Sequence, residues 1–330
     1  MNKRNQILAA ILVLQVVLIG VVFLLPGLGF GVRGAARGGP AKSLFPGVEA
    51  DRIVGLTIRD GQGQSIGLAR RPNGWVLPEA DDYPCKEDKV TSFLSKLVAL
   101  KTDRLVTQTS GSHKRLKVSE ADFERLVEFE LADGTRHKLY LGTSAAAQAS
   151  HMRADDQNEV YLSSNLSTWD VGTTAAAWVD TSYLSVPQDQ VIALTLENAS
   201  GRLDFTRIST DTWTMQGLGA AERLDQNKVQ SLVSRATSIS MSQPLGKQEK
   251  AEYGLGKPSA VVTLQTRTAD GASRTYTLRV GAKDDKDNSY IVRSSESEYY
   301  VRVSEWAVND LVQKGRQDFL ELPPTPTPQG

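Results

Sequence analysis

The sequence predicts an α+β protein of two tandem homologous domains, each a mostly antiparallel sheet with one or two packed helices, behind one N-terminal transmembrane helix. Three observations predict it. The first is repetition: Trp75 in Asn73-Gly74-Trp75-Val76-Leu77 returns 138 residues later as Trp213 in Asp211-Thr212-Trp213-Thr214-Met215. Lys89-Val90 returns as Lys228-Val229, Ala132-Asp133-Gly134 as Ala269-Asp270-Gly271, and Tyr161-Leu162 as Tyr300-Val301, at offsets of 139, 137 and 139. The second is the pattern inside each copy, where strands follow one another through short turns with no regular β-helix-β crossovers, which disfavours Rossmann and barrel folds. The third is an apolar run from Ile7 to Leu25, interrupted only by Gln15 and Gly20.

That run opens the chain. Nineteen residues at about 1.5 Å each reach about 28 Å, close to the thickness of a bilayer's hydrocarbon core. It is longer than the apolar core of a cleaved signal peptide and is followed by Pro26-Gly27-Leu28-Gly29 rather than a nearby cleavage site. Residues 1–25 are therefore expected to be a cytoplasmic tip and an uncleaved anchor. Lys3 and Arg4 face Arg33, Arg37 and Lys42 across the span, so the positive-inside rule alone does not orient it. The short basic tail resembles bacterial signal anchors, which puts the bulk of the chain on the periplasmic or extracytoplasmic side of the inner membrane. Residues 26–47, rich in glycine with Pro26, Pro40 and Pro46, read as a flexible stalk.

The first repeat is drawn from 48 to 187 and the second from 188 to 323. Each opens with alternating strands: Val54, Leu56 and Ile58 are expected on one face, as are Ile192, Leu194 and Leu196. A helix follows, with Val90, Phe93, Leu94, Leu97 and Val98 forming an apolar stripe, matched by Val229, Leu232, Val233 and Ala236. Hairpins turning at or near Asp-Gly come next. A last hairpin, Met152–Leu162 or Tyr290–Val303, leads to a short helix holding Trp169 or Trp306. Residues 324–330 read as a disordered, proline-rich tail.

Composition narrows the functional classes. Lysine plus arginine and aspartate plus glutamate both number 38, so no net field draws the chain to nucleic acid. A single cysteine, Cys85, leaves no intrachain disulfide, thiolate zinc cluster or CxxC pair, and reads as a small residue at a helix start.

Tandem copies of a tryptophan strand, a helix, a Tyr-Gly-Leu-x-Lys-Pro segment and a paired hairpin, behind one N-terminal span, resemble the bacterial family called domain of unknown function 4340. The likeness rests on Asn73-Gly74-Trp75, Tyr253-Gly254-Leu255-Gly256-Lys257-Pro258, Thr277-Leu278-Arg279-Val280-Gly281 and Tyr299-Tyr300-Val301. In the first copy Arg115-Leu116-Lys117-Val118 stands in place of the Tyr-Gly-Leu segment. The resemblance implies an envelope protein without an established activity, of the kind that accompanies ABC-type transport systems related to gliding-motility machinery. It carries no catalytic residues across.

Each motif that could carry chemistry lacks its required context. Gly63-Gln64-Ser65-Ile66-Gly67 spells the G-x-S-x-G of a nucleophile elbow, but that elbow needs a helix after the serine, and Leu68–Pro72 reads as a strand and turn. Gly29-Phe30-Gly31-Val32-Arg33-Gly34 spells G-x-G-x-x-G but follows a membrane span instead of a strand. Asp284-Asp285-Lys286-Asp287-Asn288 with Glu296 partly imitates a calcium loop, with Tyr290 where glycine is required. His113, His137 and His151 have no helical ligand spacing. No catalytic residue, metal or cofactor is expected.

Aromatic residues are placed more tellingly. Trp75 and Trp213 are expected between sheet and helix, a core role favoured over a glycan or peptide platform. Tyr290, Tyr299, Tyr300 and Trp306 are the candidate partner surface. The leading expectation is a non-enzymatic, membrane-anchored module, held in the lipid bilayer through residues 7–25, that binds a protein partner in the envelope, with an ABC-type transport complex as its setting. The alternatives are an envelope-polymer or glycan-binding module and, less favoured, a serine hydrolase using Ser65.

Overall fold

The computed structural model describes residues 41–321, so the expected anchor, most of the stalk, the G-x-G-x-x-G segment and the proline-rich tail lie outside the described residues. No helix among the described residues is long and apolar enough to cross a membrane.

The first repeat runs β1 (Ile53–Asp60), β2 (Ser65–Arg71), β3 (Gly74–Leu77), β4 (Tyr83–Pro84), helix α1 (Glu87–Val98), β5 (Leu105–Thr107), β6 (Arg125–Leu131), β7 (Arg136–Ala146), β8 (Ala149–Ala154) and β9 (Val160–Leu162). They form a nine-stranded sheet in the order β4-β3-β2-β1-β6-β7-β8-β9-β5. A linking strand, β10 (Ser182–Ser185), leads into β11 (Val191–Asn198), β12 (Gly201–Ser209), β13 (Thr212–Met215), helix α2 (Gln226–Thr237), β14 (Ser238–Ser240), β15 (Gln243–Pro244), β16 (Ala260–Arg267), β17 (Ser273–Asp284), β18 (Ser289–Ser294), β19 (Val301–Ser304) and helix α3 (Glu305–Gln313). The second sheet is β13-β12-β11-β16-β17-β18-β19-β15, matching the first strand for strand except for β4. The tandem α+β architecture is thus present in its topology, and every strand pair in the two large sheets is antiparallel.

Details of register repeat as well. A β-bulge between Ile53 and Gly55 is answered by one between Val191 and Ala193, and another between Leu141 and Ser144 by one between Val280 and Lys283. The opening bulges correct the expected faces. An extra residue shifts the alternation, so Ile53 and Val191 are fully buried while Val54 and Ile192 are only partly covered. Downstream of each bulge Leu56, Ile58, Leu194 and Leu196 face the core as expected.

Each helix lays its apolar stripe on one face of its sheet. Val90, Phe93, Leu94 and Leu97 of α1 are buried, as are Val229, Leu232, Val233 and Ala236 of α2. Trp75 and Trp213 fill the core of their copies, in line with their recurrence at one position. A buried Leu or Phe side chain contributes on the order of 1.5–3 kcal/mol, so these stripes dominate the docking of each helix. Asp225 caps α2 by accepting the backbone N–H groups of Asn227 and Lys228 at 3.1 and 3.2 Å.

The expected stalk ends earlier than residue 47. Leu44 and Phe45 are buried in the core, and the Leu44 N–H donates to the Leu100 carbonyl at 2.8 Å. This lead-in segment does for the first repeat what β10 does for the second, where β10 pairs with β14 just after α2. Leu44 and Phe45 are too apolar to leave in solvent when a sheet edge and helix end lie beside them.

The two repeats share one hydrophobic cluster. Within the second repeat, the Tyr183 hydroxyl of β10 donates to the Tyr299 carbonyl at 2.7 Å and accepts the Ser294 N–H at 2.9 Å, which holds Tyr299 at the edge that faces the first repeat. The Lys247 N–H donates to Asp81 Oδ2 at 2.7 Å, and the Tyr83 and Tyr299 rings meet edge to face at 4.7 Å. Next to that contact Gly246 has φ +91°, and a side chain there would press on the Asp81 carboxylate.

Candidate functional site

Between the repeats lies a cleft of about 480 Å3 whose walls come from both copies. Gln64, Ser65 and Thr173 line it from the first repeat, and Gln243, Asp287 and Arg302 from the second. The β1–β2 hairpin sets the first wall. Asp60, itself buried, accepts the N–H groups of Gln62 and Gln64 at 3.0 and 2.9 Å, and the Thr173 hydroxyl donates to its other oxygen at 3.2 Å. Arg302 on β19 sets the second, donating to Asp284 at 2.9 Å, to Ser289 Oγ at 2.6 Å and to Asp287 at 3.2 Å. Held this way, the guanidinium is a fixed part of the wall rather than a free cation.

The acidic run that imitated a calcium loop is accounted for by the same contacts. Asp284 and Asp287 turn to Arg302, while the Lys286 N–H and then the Arg302 guanidinium keep the Asp284 carboxyl below the ordinary carboxylate range. No group of three potential metal ligands occurs among the described residues.

Ser65 sits in the cleft wall, yet it is the first residue of strand β2 instead of the apex of a strand-to-helix elbow. The histidines are elsewhere and each serves the framework. His113 Nε2 lies 2.9 Å from the Asn158 carbonyl and His151 Nδ1 lies 2.9 Å from Thr143 Oγ1. His137 Nδ1 lies 3.0 Å from Asp155 Oδ2, with the Phe45 and Phe129 rings within 5.3 Å. Asp155 also accepts the Lys138 N–H at 2.7 Å, so this pair staples the β7–β8 hairpin. Cys85 is half-buried, and burial followed by the Glu87 charge pushes its thiol up to about 12, which keeps it protonated and unreactive.

The four aromatic residues expected to form one partner surface separate into three environments. Tyr290 and Tyr300 are 5% and 8% exposed and cannot present their rings to a partner. Tyr290 belongs to the main core, and Tyr300 lies under the Tyr253–Leu255 loop with its ring 5.4 Å from that of Tyr253. Tyr299 is half-buried in the seam between repeats, where Lys247 Nζ lies 4.8 Å from its ring centre. Only Trp306 is open, at 75% exposed, and its counterpart Trp169 is 92% exposed. The cleft itself was not legible in sequence, because Ser65 and Arg302 are far apart in the chain and carry no shared motif.

The family described as Domain of unknown function (DUF4340) matches the chain twice, over residues 75–223 and 213–319. The two matches begin at Trp75 and Trp213, the buried tryptophans of β3 and β13. No curated protein and no solved structure matches the chain. With two copies of its domain profile spanning most of the chain on a duplicated fold, this protein belongs to the DUF4340 family.

Proposed function

We propose that this protein is a non-enzymatic, membrane-anchored envelope module that receives a segment of a partner protein in the cleft between its repeats. Its setting is an ABC-type transport complex, with residues 7–25 in the inner membrane and both repeats on the extracytoplasmic side. The observation that carries this reading is the cleft, because its walls come from both copies and the two copies share one core. A pocket framed this way has its shape set by tertiary packing, which suits recognition of a preformed loop or strand. The lining supports the same reading. Hydroxyls and amides with one fixed arginine can pair with a peptide backbone, and Ser65 contributes a hydroxyl rather than a nucleophile.

Purification of the full chain from its native membrane in mild detergent tests the proposal. A stoichiometric envelope protein is expected to accompany the parent and to be lost from Ser65→Trp, which fills the cleft from an exposed strand position. Ile208→Ser, on the outside of the second sheet, is expected to retain it. Absence of any stoichiometric companion, or its full retention by Ser65→Trp, overturns the reading.

A further inference from the structure

Apart from the cleft, the second repeat carries a groove of about 700 Å3 beside α2 and the start of α3. Ser231 and Ser234 of α2, Ser304 at the N-cap of α3, and the amides of Gln188 and Gln230 line it, with Trp306 at the rim. Gln230 Nε2 donates to Gln188 Oε1, and Gln188 Nε2 to Ser234 Oγ, each at 3.3 Å. Arg235 lies over one face of the Trp306 indole at 4.7 Å from the ring centre and donates to the Trp306 carbonyl at 3.0 Å. Its charge is matched by Asp310 at 2.8 Å. The other indole face is left to solvent.

The first repeat carries the tryptophan and serines of this set but not its amides, since Ala50 and Thr91 stand where Gln188 and Gln230 do. Trp169 corresponds to Trp306, Ser92 and Ser95 to Ser231 and Ser234, and Ser167 to Ser304, at offsets of 137 and 139. Lys96 takes the place of Arg235 and pairs with Asp170 at 2.6 Å. Burial alone would raise the Asp170 carboxyl, but the Lys96 ammonium and the Ser167 groups outweigh it and hold the carboxyl below its ordinary range. Core packing does not explain an exposed indole in both copies, since neither Trp169 nor Trp306 belongs to the hydrophobic cluster or packs against it. Within the groove the polar lining has diverged, Asp88 to Asn227 and Thr91 to Gln230, while the serines and the tryptophan remain.

We infer that the Trp306 groove is a binding site for a neutral polysaccharide, and that Trp169 offers the same contact in the first repeat. A sugar ring presents an apolar C–H face that stacks on an open indole, with hydroxyls around its edge that need both donors and acceptors. Serine hydroxyls and glutamine amides supply both. An anionic polymer would need an unpaired cation, and Arg235 and Lys96 are already matched by Asp310 and Asp170. A lipid surface or a protein hot spot would call for apolar neighbours around the ring, where this groove has serines and amides. This inference does not depend on the cleft.

Titration of the full chain in mild detergent with two neutral β-linked hexasaccharides, chitohexaose and cellohexaose, tests it by calorimetry and tryptophan fluorescence. Saturable binding of at least one is expected. Trp306→Ala should weaken it by about tenfold or more, as removal of a central aromatic contact does. Trp306→Phe should recover part of the loss, and Ser65→Trp should leave it unchanged. Because Trp306 is exposed, these variants keep the core intact. Failure of both sugars to bind at millimolar concentration, or binding unaltered in Trp306→Ala, overturns the inference. So does Trp306-dependent attachment to phosphatidylglycerol vesicles by a chain that binds neither sugar.

Discussion

Tyr83 and Cys85 stand two residues apart on the seam side of the first repeat, and both are tuned by their surroundings. Burial, followed by the charges of Tyr183, Asp180 and Tyr299, pushes the Tyr83 phenol from 10.0 up to about 12, and burial with Glu87 pushes the Cys85 thiol from 9.0 up to about 12. Raised values mean that the native state favours the protonated forms. Their contribution to stability is whole below pH 9 and is lost as pH climbs toward 12, because the unfolded chain releases these protons first. Urea midpoints measured from pH 8 upward should therefore fall between pH 9 and 12, and Cys85→Ser and Tyr83→Phe should each flatten that fall; parallel curves for parent and variants would refute the assignment. Residue roles were unevenly legible in the sequence. Trp75 and Trp213 declared themselves by recurring at one position in an alternating strand, and both are buried. Tyr290 and Tyr300 misled because exposure on a strand depends on what crosses its outer face, and Tyr300 lies under a loop that no local pattern places there.

At the scale of elements, the first-copy segment Leu116-Lys117-Val118 does the work of Tyr253-Gly254-Leu255. Lys117 and Gly254 both take left-handed backbone, φ +58° and +66°, and the flanking side chains are buried in small satellite clusters of their own. The loop passes so close to its sheet that a glycine must stand beneath it, Gly142 on β7 under the Leu116 carbonyl and Gly281 on β17 under the Tyr253 carbonyl. Gly281→Ala should push the loop off the strand and cost about 1–3 kcal/mol, as overpacking does elsewhere. Gly256→Ala, where a side chain would meet open space, should stay within about 0.5 kcal/mol of the parent. Equal effects of the two in urea unfolding would contradict this view of the loop. Helices and most strands were readable because each repeat has one wet and one dry face, which imposes a period on the sequence. The opening bulges were not readable, since one inserted residue moves Ile53 and Val191 inward without leaving a compositional mark.

For the molecule as a whole, duplication supplied two sheets of one topology, each with a packed helix, and the seam turned two repeats into one body. The Lys247 N–H donates to Asp81 and Tyr83 meets Tyr299, so residues more than 100 positions apart join the two repeats beside the cleft. Sequence periodicity marks the faces of a repeat but carries no record of how two repeats meet, which is why the tandem was legible and the cleft was not. The family assignment adds no chemistry to this picture, so the functional account rests on recognition by surfaces that both copies build. Site-specific photocrosslinking in intact membranes tests that account most directly, with a benzophenone side chain placed in turn at Ser65, at Gln243 and, outside the cleft, at Ile208. The account predicts one envelope protein captured from both Ser65 and Gln243 and not from Ile208. Capture from Ile208 alone, or different proteins from the two cleft walls, would contradict it.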